Sequence, residues 1–177
     1  MPVVNKDEKG TFGGTMLINL FGGFSPVGDC NMPQSLKIVE LIGTADTLPI
    51  TFFRDCKYIE HITLPGTISE IGDMAFDGCN KLKELALPKN LKAVGTYAFR
   101  GCANIERLEF PEGAYAIGSD AFQYMSALKE LVFPTTMQFK KQESWGTIYS
   151  SQWGLDTANL ETLVLPYIGF SKTGPGS

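Results

Sequence analysis

The chain has 177 residues, of which 44% are hydrophobic and 19% are charged, a balance typical of a folded domain and not of a disordered segment. Its formal net charge at pH 7 is -4 and no block of lysine and arginine occurs, which argues against nucleic acid or an anionic membrane as a partner. The apolar runs are too short for a membrane-spanning helix. Residues 1–10 lack the basic and then apolar layout of a signal peptide.

An internal repeat of 23 residues organises the chain. Three segments, at residues 58–79, 81–102 and 104–125, align without gaps, and residues 35–56 fall in the same frame. The residues that recur at this spacing are Phe53, Phe76, Phe99 and Phe122 at one position, and Cys56, Cys79, Cys102 and then Met125 at another. Because several positions keep register through four units, the sequence predicts stacked coils that bury their apolar faces against one another.

The first part of one unit has the pattern of a short strand. Leu85 and Leu87 alternate with Glu84 and Ala86, which is the period of a strand with one buried face. Pro88 has no amide hydrogen to donate to a ladder, so we expect the strand to end there. Stacked coils then place these strands side by side in a parallel sheet, about 4.8 Å apart.

The second part of the unit returns the chain to the start of the next strand. We expect Gly95 to supply a tight turn, since glycine tolerates backbone conformations that other residues avoid. Ala98 and Phe99 form a small and large pair that we expect to point into the core. Cys102 closes the coil as a small buried residue.

The motif L-x-x-L-x-L-P followed by I-G-x-x-A-F-x-G-C resembles the BspA-like leucine-rich repeat, most clearly in residues 79–102. The resemblance covers residues 16–134 and again 159–170. It implies an α/β repeat solenoid with short parallel strands on one face and loops or short helical turns on the other. The family is known from bacterial surface proteins, many of them implicated in adhesion. The resemblance therefore implies an extracellular or cell-surface location and a non-catalytic role in binding.

Two insertions interrupt the repeat. About three residues are added near residues 31–33, and nine within residues 135–158, where the step from Leu128 to Leu160 becomes 32. The longer insertion contains Trp145 and Trp153, and two interpretations stay open. An aromatic loop can form a contact surface. Alternatively, one tryptophan replaces the phenylalanine of the ladder and fills the core.

We expect the chain to form one solenoid segment of a longer repeat protein. It divides into core repeats at 35–134, the insertion at 135–158 and a partial repeat at 159–170, within a single domain of residues 1–177. Residues 1–10 can be aligned with residues 165–174, which suggests that both lie at equivalent positions of successive repeats.

The four cysteines share one position of the repeat or lie near it. Cys56, Cys79 and Cys102 should stack on adjacent coils, with Cys30 as a possible fourth member. Their Cα atoms could come within disulfide distance, but parallel side chains in a ladder rarely reach the required torsions. We therefore expect reduced thiols that fill the core. With no C-x-x-C pair and a single histidine, the sequence does not predict a zinc site or any other metal site.

The outward positions of the strands should form two rows on the face of the sheet. The first row is Ile38, His61, Glu84, Arg107, Glu130 and Thr162, and the second is Glu40, Thr63, Ala86, Glu109, Val132 and Val164. Arg107 lies between two glutamates of its own row, which favours a charge ladder that pairs with itself. The alternative is a mixed face that binds a ligand.

The candidate ligand-binding residues are His61, Thr63, Glu84, Arg107, Glu109, Glu130, Val132, Trp145 and Trp153. A protein or a glycan is the expected ligand, and neither a catalytic residue nor a cofactor site is predicted. His61 is the only histidine, and no G-x-S-x-G nucleophile motif accompanies it. Two other functions stay open: a structural spacer that displays another domain, and an enzyme whose pocket forms between the sheet face and residues 135–158.

Overall fold

The computed structural model describes residues 9–13, 30, 32, 34–135, 153–155 and 159–165. Eleven short strands lie in this part of the chain. They are β1 (Lys9–Gly13), β2 (Ile38–Ile42), β3 (Thr47–Leu48), β4 (His61–Thr63), β5 (Glu70–Ile71), β6 (Glu84–Ala86), β7 (Ala93–Val94), β8 (Arg107–Glu109), β9 (Ala116–Ile117), β10 (Glu130–Val132) and β11 (Thr162–Val164). Each coil of the repeat contributes two of them, on two different sides of a parallel β-solenoid.

The strands that the sequence predicts stack in parallel on one side. The order β1-β2-β4-β6 continues past the adjacent β8 into β8-β10-β11. The register agrees with the predicted outward rows, since Ile38 pairs with His61, His61 with Glu84, Arg107 with Glu130, and Glu130 with Thr162. The solenoid and its parallel strand face are therefore confirmed.

The other side of each coil is not helical as expected. A second parallel sheet, in the order β3-β5-β7-β9, lies there, and no helix occurs between residues 34 and 135. The segment after each strand of this second sheet has positive φ at two positions, occupied by Thr51, Met74, Tyr97 and Asp120 and by Asp55, Gly78, Gly101 and Tyr124. Left-handed residues interrupt an α-helix, so the α/β description with helical turns is wrong for these residues.

Backbone hydrogen bonds explain why this turn segment can replace a helix. In one coil, the amides of Met74, Phe76 and Gly78 donate to carbonyls of the next coil at 2.8–2.9 Å. The amides between them close tight turns within their own coil, as in the 3.1 Å bond from Asp77 to Met74. The polar groups of the backbone are thus satisfied by the neighbouring coil, which makes each coil dependent on the next.

The core is a ladder of phenylalanine rings. Phe53, Phe76, Phe99 and Phe122 are fully buried, and successive ring centroids lie 5.5, 5.6 and 6.1 Å apart in nearly parallel planes. Ala98 is equally buried beside Phe99, so the predicted small and large pair does point inward.

The repeated glycine has a different role from the one expected. Gly95 does not adopt positive φ. A Cβ atom at this position would lie 2.5 Å from the backbone nitrogen of Asp73 and 2.7 Å from the carbonyl carbon of Gly72. The glycine is therefore required because two coils approach closely here, and not because the chain makes a tight turn.

The beginning of the chain also differs from the expected alignment. In β1, Phe12 and Gly13 pair with Leu41 and Ile42, so Phe12 occupies the position of Leu165 in the repeat frame. Aligning residues 1–10 with residues 165–174 placed Met1 there and is wrong.

We expect Phe99→Ala to lower the free energy of unfolding by about 3–5 kcal/mol, because it removes a ring that is packed on both faces. Chemical denaturation monitored by circular dichroism would measure this change. Lys89→Ala is the control, since Lys89 is exposed and its replacement should cost little. Equally small losses in the two variants would contradict the inward ladder.

We expect Gly95→Ala to destabilise the chain by about 1–3 kcal/mol, because the added methyl group must push two backbones apart. Gly66→Ala is a matched control, since a Cβ atom at Gly66 meets no atom within 4 Å. Thermal unfolding of both variants would test this, and a melting temperature that falls equally in the two would disprove the close-approach explanation.

Candidate functional site

The first sheet presents a third row of outward side chains that the alternating pattern does not predict. The amides of Glu60 and His61 both donate to the carbonyl of Lys37, at 2.7 and 3.1 Å. The amides of Lys129 and Glu130 likewise share the carbonyl of Glu106. Two amides opposite one carbonyl are the mark of a bulge, which interrupts the alternation. Consecutive side chains therefore both lie on the outer face at the start of each strand.

This third row alternates in charge from one coil to the next. Its members are Lys37, Glu60, Lys83, Glu106, Lys129 and Glu161. The ammonium group of Lys83 lies 2.7 Å from the carboxylate of Glu60, and that of Lys129 lies 3.0 Å from Glu106. Lys83 lowers the pKa of Glu60, and Glu106 raises the pKa of Lys129, in both cases mainly through the hydrogen bond between them. The alternation is visible at the 23-residue step of the sequence, but sequence analysis missed it because strict alternation places this residue inside.

The charges at the centre of the two predicted rows are also paired. Arg107 donates through Nε to Glu130 at 2.8 Å and through Nη2 to Glu109 at 2.7 Å. These two hydrogen bonds raise the pKa of the guanidinium group. Nδ1 of His61 lies 3.6 Å from the carboxylate of Glu84, an ion pair when the imidazole is protonated. The geometry thus agrees with the interpretation of this face as a self-paired ladder of charges.

Seven of the nine candidate residues lie together on this surface, which we call the strand face. Exposed members are Thr63, Glu84, Arg107 and Glu109, and half-buried members are His61, Glu130 and Val132. The strand face is the outer surface of the first sheet and consists of the three rows of side chains given above. Trp145 lies outside the described residues.

Trp153 belongs to the core and not to the strand face. Only 9% of this residue is exposed, and its ring lies 5.1 Å from that of Phe133. Its carbonyl accepts from the amide of Phe122, as the carbonyl of Ala121 accepts from Phe99 one coil earlier. Trp153 therefore takes the position of the small residue, and Gly154 follows in the position of the ladder phenylalanine. The contact-surface role predicted for Trp153 is wrong, because the insertion returns the tryptophan to the stack.

A buried carboxylate on the turn side of the coils was also missed by sequence analysis. Asp77 is only 7% exposed and accepts two hydrogen bonds from Arg100, at 2.8 and 2.7 Å. Nε of Arg54 lies 3.4 Å from the same carboxylate. The available signal was the 23-residue step that joins these three residues with alternating charge.

The cysteines divide into a disulfide and two thiols. Cys30 and Cys56 form a disulfide, with Cα atoms 4.8 Å apart, so the expectation of four reduced thiols is wrong for this pair. Their separation is 26 residues instead of 23, and the inserted residues remove the parallel register that disfavours bonding. Cys79 and Cys102 are buried free thiols, as expected. Burial raises the pKa of both, which keeps them protonated and unreactive.

Neither a metal site nor a membrane-spanning helix occurs in the part of the chain that the structure describes. No group of three or more histidine, cysteine or acidic side chains in these ranges has the arrangement to hold a metal ion. None of their helical residues form a segment long and apolar enough to cross a bilayer.

We expect iodoacetamide to leave Cys79 and Cys102 unmodified in the native protein, because their thiols are buried and protonated. Denaturation without a reductant should allow two alkylations, and reduction should add those of Cys30 and Cys56. Mass spectrometry would count the alkylated residues. Four alkylations in the unreduced, denatured chain would rule out the disulfide. Cys30→Ser should cost about 3 kcal/mol of stability, since the bridge closes a loop of moderate length.

Solved structures with a similar fold are bacterial leucine-rich repeat proteins. A leucine-rich repeat protein of T. pallidum is 29% identical with a TM-score of 0.55, over 57% of this chain and 50% of that protein. One from Bacteroides ovatus is 27% identical with a TM-score of 0.58, over 73% of this chain and 31% of that protein. A leucine-rich cell surface protein of Faecalibacterium prausnitzii is 19% identical with a TM-score of 0.55, covering 72% and 31%, and shows the fold alone.

The chain thus spans half or less of the length of each of these relatives. No curated protein sequence shows significant similarity to it. The profile of the BspA type leucine-rich repeat region matches residues 28–151 in six copies. Those residues contain the phenylalanine ladder, the paired outer rows and most of the strands described above. The chain belongs to the BspA-type leucine-rich repeat family.

Proposed function

We propose that this chain is a non-catalytic ligand-binding or adhesion segment of a bacterial cell-surface or secreted protein, and that the strand face is its binding surface. A protein or a glycan is the expected ligand. The observation that carries the proposal is the constant register of the strand face, which presents Thr63, Glu84, Arg107 and Glu109 outward from adjoining strands. Side chains on a rigid sheet are already ordered, so a ligand loses little entropy in ordering them.

The disulfide supports a location outside the cytoplasm. Disulfides persist in oxidising compartments and are rare in the reducing cytoplasm. Cys30 and Cys56 are joined, and one protein of similar fold is described as a cell surface protein. Family membership supports the same location, because the family is known from bacterial surface proteins.

We expect the chain to bind saturably to a member of a printed glycan array or of a panel of purified extracellular proteins. The double variant Arg107→Ala/Glu109→Ala should weaken this binding about tenfold or more, because it removes a central ion pair without changing the net charge. Surface plasmon resonance on the captured ligand would measure the affinity.

Lys89→Ala/Glu70→Ala is the matched control, since it also removes one charge of each sign and both residues are exposed away from the strand face. Its affinity should equal that of the wild-type chain. Equal affinity in both double variants would exclude the strand face as the binding surface.

A structural spacer is the alternative that a specific observation favours. On the strand face Arg107 is already engaged by two glutamates, and Lys83 and Lys129 each hold a carboxylate of the preceding coil. A surface that satisfies its own charges can serve to stiffen the stack alone. This alternative predicts no saturable ligand and the rod-like profile of a rigid solenoid in small-angle scattering.

A further inference from the structure

The turn side of the solenoid carries an exposed tyrosine in a backbone position that favours glycine. Tyr124 has φ of 61°, and the equivalent residues of the two preceding coils are Gly78 and Gly101, with φ of 76° and 73°. A side chain with a Cβ atom destabilises this left-handed conformation, whereas glycine adopts it freely. Tyr124 is 58% exposed, so burial of its ring offsets little of that cost. Neither the backbone nor the core explains the tyrosine.

A second tyrosine and an arginine adjoin it. Tyr97 also has positive φ, at 57°, and the guanidinium carbon of Arg100 lies 4.6 Å from the centre of its ring. The amide of Gly101 donates to the carbonyl of Gln123 at 2.8 Å, which sets Arg100 alongside Tyr124 on the next coil. Tyr124 is also close enough to contribute to the raised pKa of Arg100. We call the surface formed by Tyr97, Arg100 and Tyr124 the turn patch.

The arginine of the turn patch is held in place from beneath. Asp77 is 7% exposed and accepts both Nε and Nη2 of Arg100, a two-pronged contact that fixes the plane of the guanidinium group. The ring of Tyr97 covers one side of the same group. A partner that binds here would therefore meet an arginine whose rotamer is already set, which lowers the entropic cost of binding.

The charges around the turn patch leave a positive excess. Asp77 faces two guanidinium groups, those of Arg100 and Arg54. Asp55 faces Arg54 at 3.8 Å and Lys57 at 3.5 Å. Three cations thus share two carboxylates, although the whole chain has a net charge of -4. A local positive excess on an acidic protein selects for an acidic partner.

We propose that the turn patch is a second binding surface, which takes a segment of a partner protein with a carboxylate next to an apolar side chain. The carboxylate would lie against Arg100, and the apolar group would pack on the rings of Tyr97 and Tyr124. Tyrosine and arginine dominate the binding energy of protein interfaces, because both bury a large area with few freely rotating bonds. This surface is separate from the strand face, and the proposal does not depend on the function proposed for that face.

The test is an NMR titration of the isotope-labelled full chain with the capped peptide GELGELG. We expect the amide signals of the turn patch to shift in a saturable way, and the uncharged peptide GQLGQLG to bind about tenfold more weakly, since it lacks the carboxylate. Tyr124→Gly should abolish the shifts. Because glycine fits this backbone position, the melting temperature of Tyr124→Gly should equal or exceed that of the wild-type chain.

Tyr115→Ser is the matched control, since Tyr115 is 51% exposed and precedes the second sheet, away from the turn patch. Its affinity for GELGELG should not change, nor should that of the strand-face variant Arg107→Ala/Glu109→Ala. Equal binding of GELGELG by Tyr124→Gly and the wild-type chain would overturn the proposal. Shifts of the turn patch with sialyllactose but not with the peptide would assign the surface to an acidic glycan and overturn it as well.

Discussion

The stacking of one coil on the next is the constraint on which the rest of this molecule depends. The ring of Phe76 is packed on one side by Phe53 and on the other by Phe99, at nearly equal distances. A coil by itself has no second layer against which to bury such a ring. Its backbone has the same need, because alternate amides of the turn segment donate to the next coil and not to their own. Burial and hydrogen bonding thus impose the same step of 23 residues.

A fixed step aligns equivalent residues, and the surface must accommodate that alignment. Like charges at one position of the repeat would repel one another along the whole stack. The outer row that begins at Lys37 and Glu60 avoids this by alternating in sign, and Asp77 does so between Arg54 and Arg100. These contacts join successive coils, so the side chains that decorate the solenoid also hold its register. Such pairing argues for a rigid scaffold, whether it binds a ligand or displays another domain.

The irregular positions show how a repeat tolerates departures from its step. The disulfide joins Cys30 to Cys56 across a coil that is three residues longer than the others, where the register alone no longer aligns the side chains. After the longer insertion, Trp153 and Gly154 reverse the usual order of a small and then a large residue, and the indole still packs on Phe133. Tyr124 is a departure of another kind, since its ring is exposed from a position that suits glycine. The first two restore the stack, whereas Tyr124 adds nothing to it.

Spacing alone determined the solenoid, the parallel strand face and the inward phenylalanines, because a periodic sequence with a buried position every 23 residues permits few other structures. Seven of the candidate residues on the strand face followed from the same periodicity. Tertiary structure alone decided the rest. The bulge that turns Glu60 outward beside His61, the second sheet in place of helical turns, and the close approach at Gly95 all arise from backbone contacts between coils. Single-chain periodicity does not encode those contacts, since it records which residues recur and not how far apart the neighbouring backbones lie.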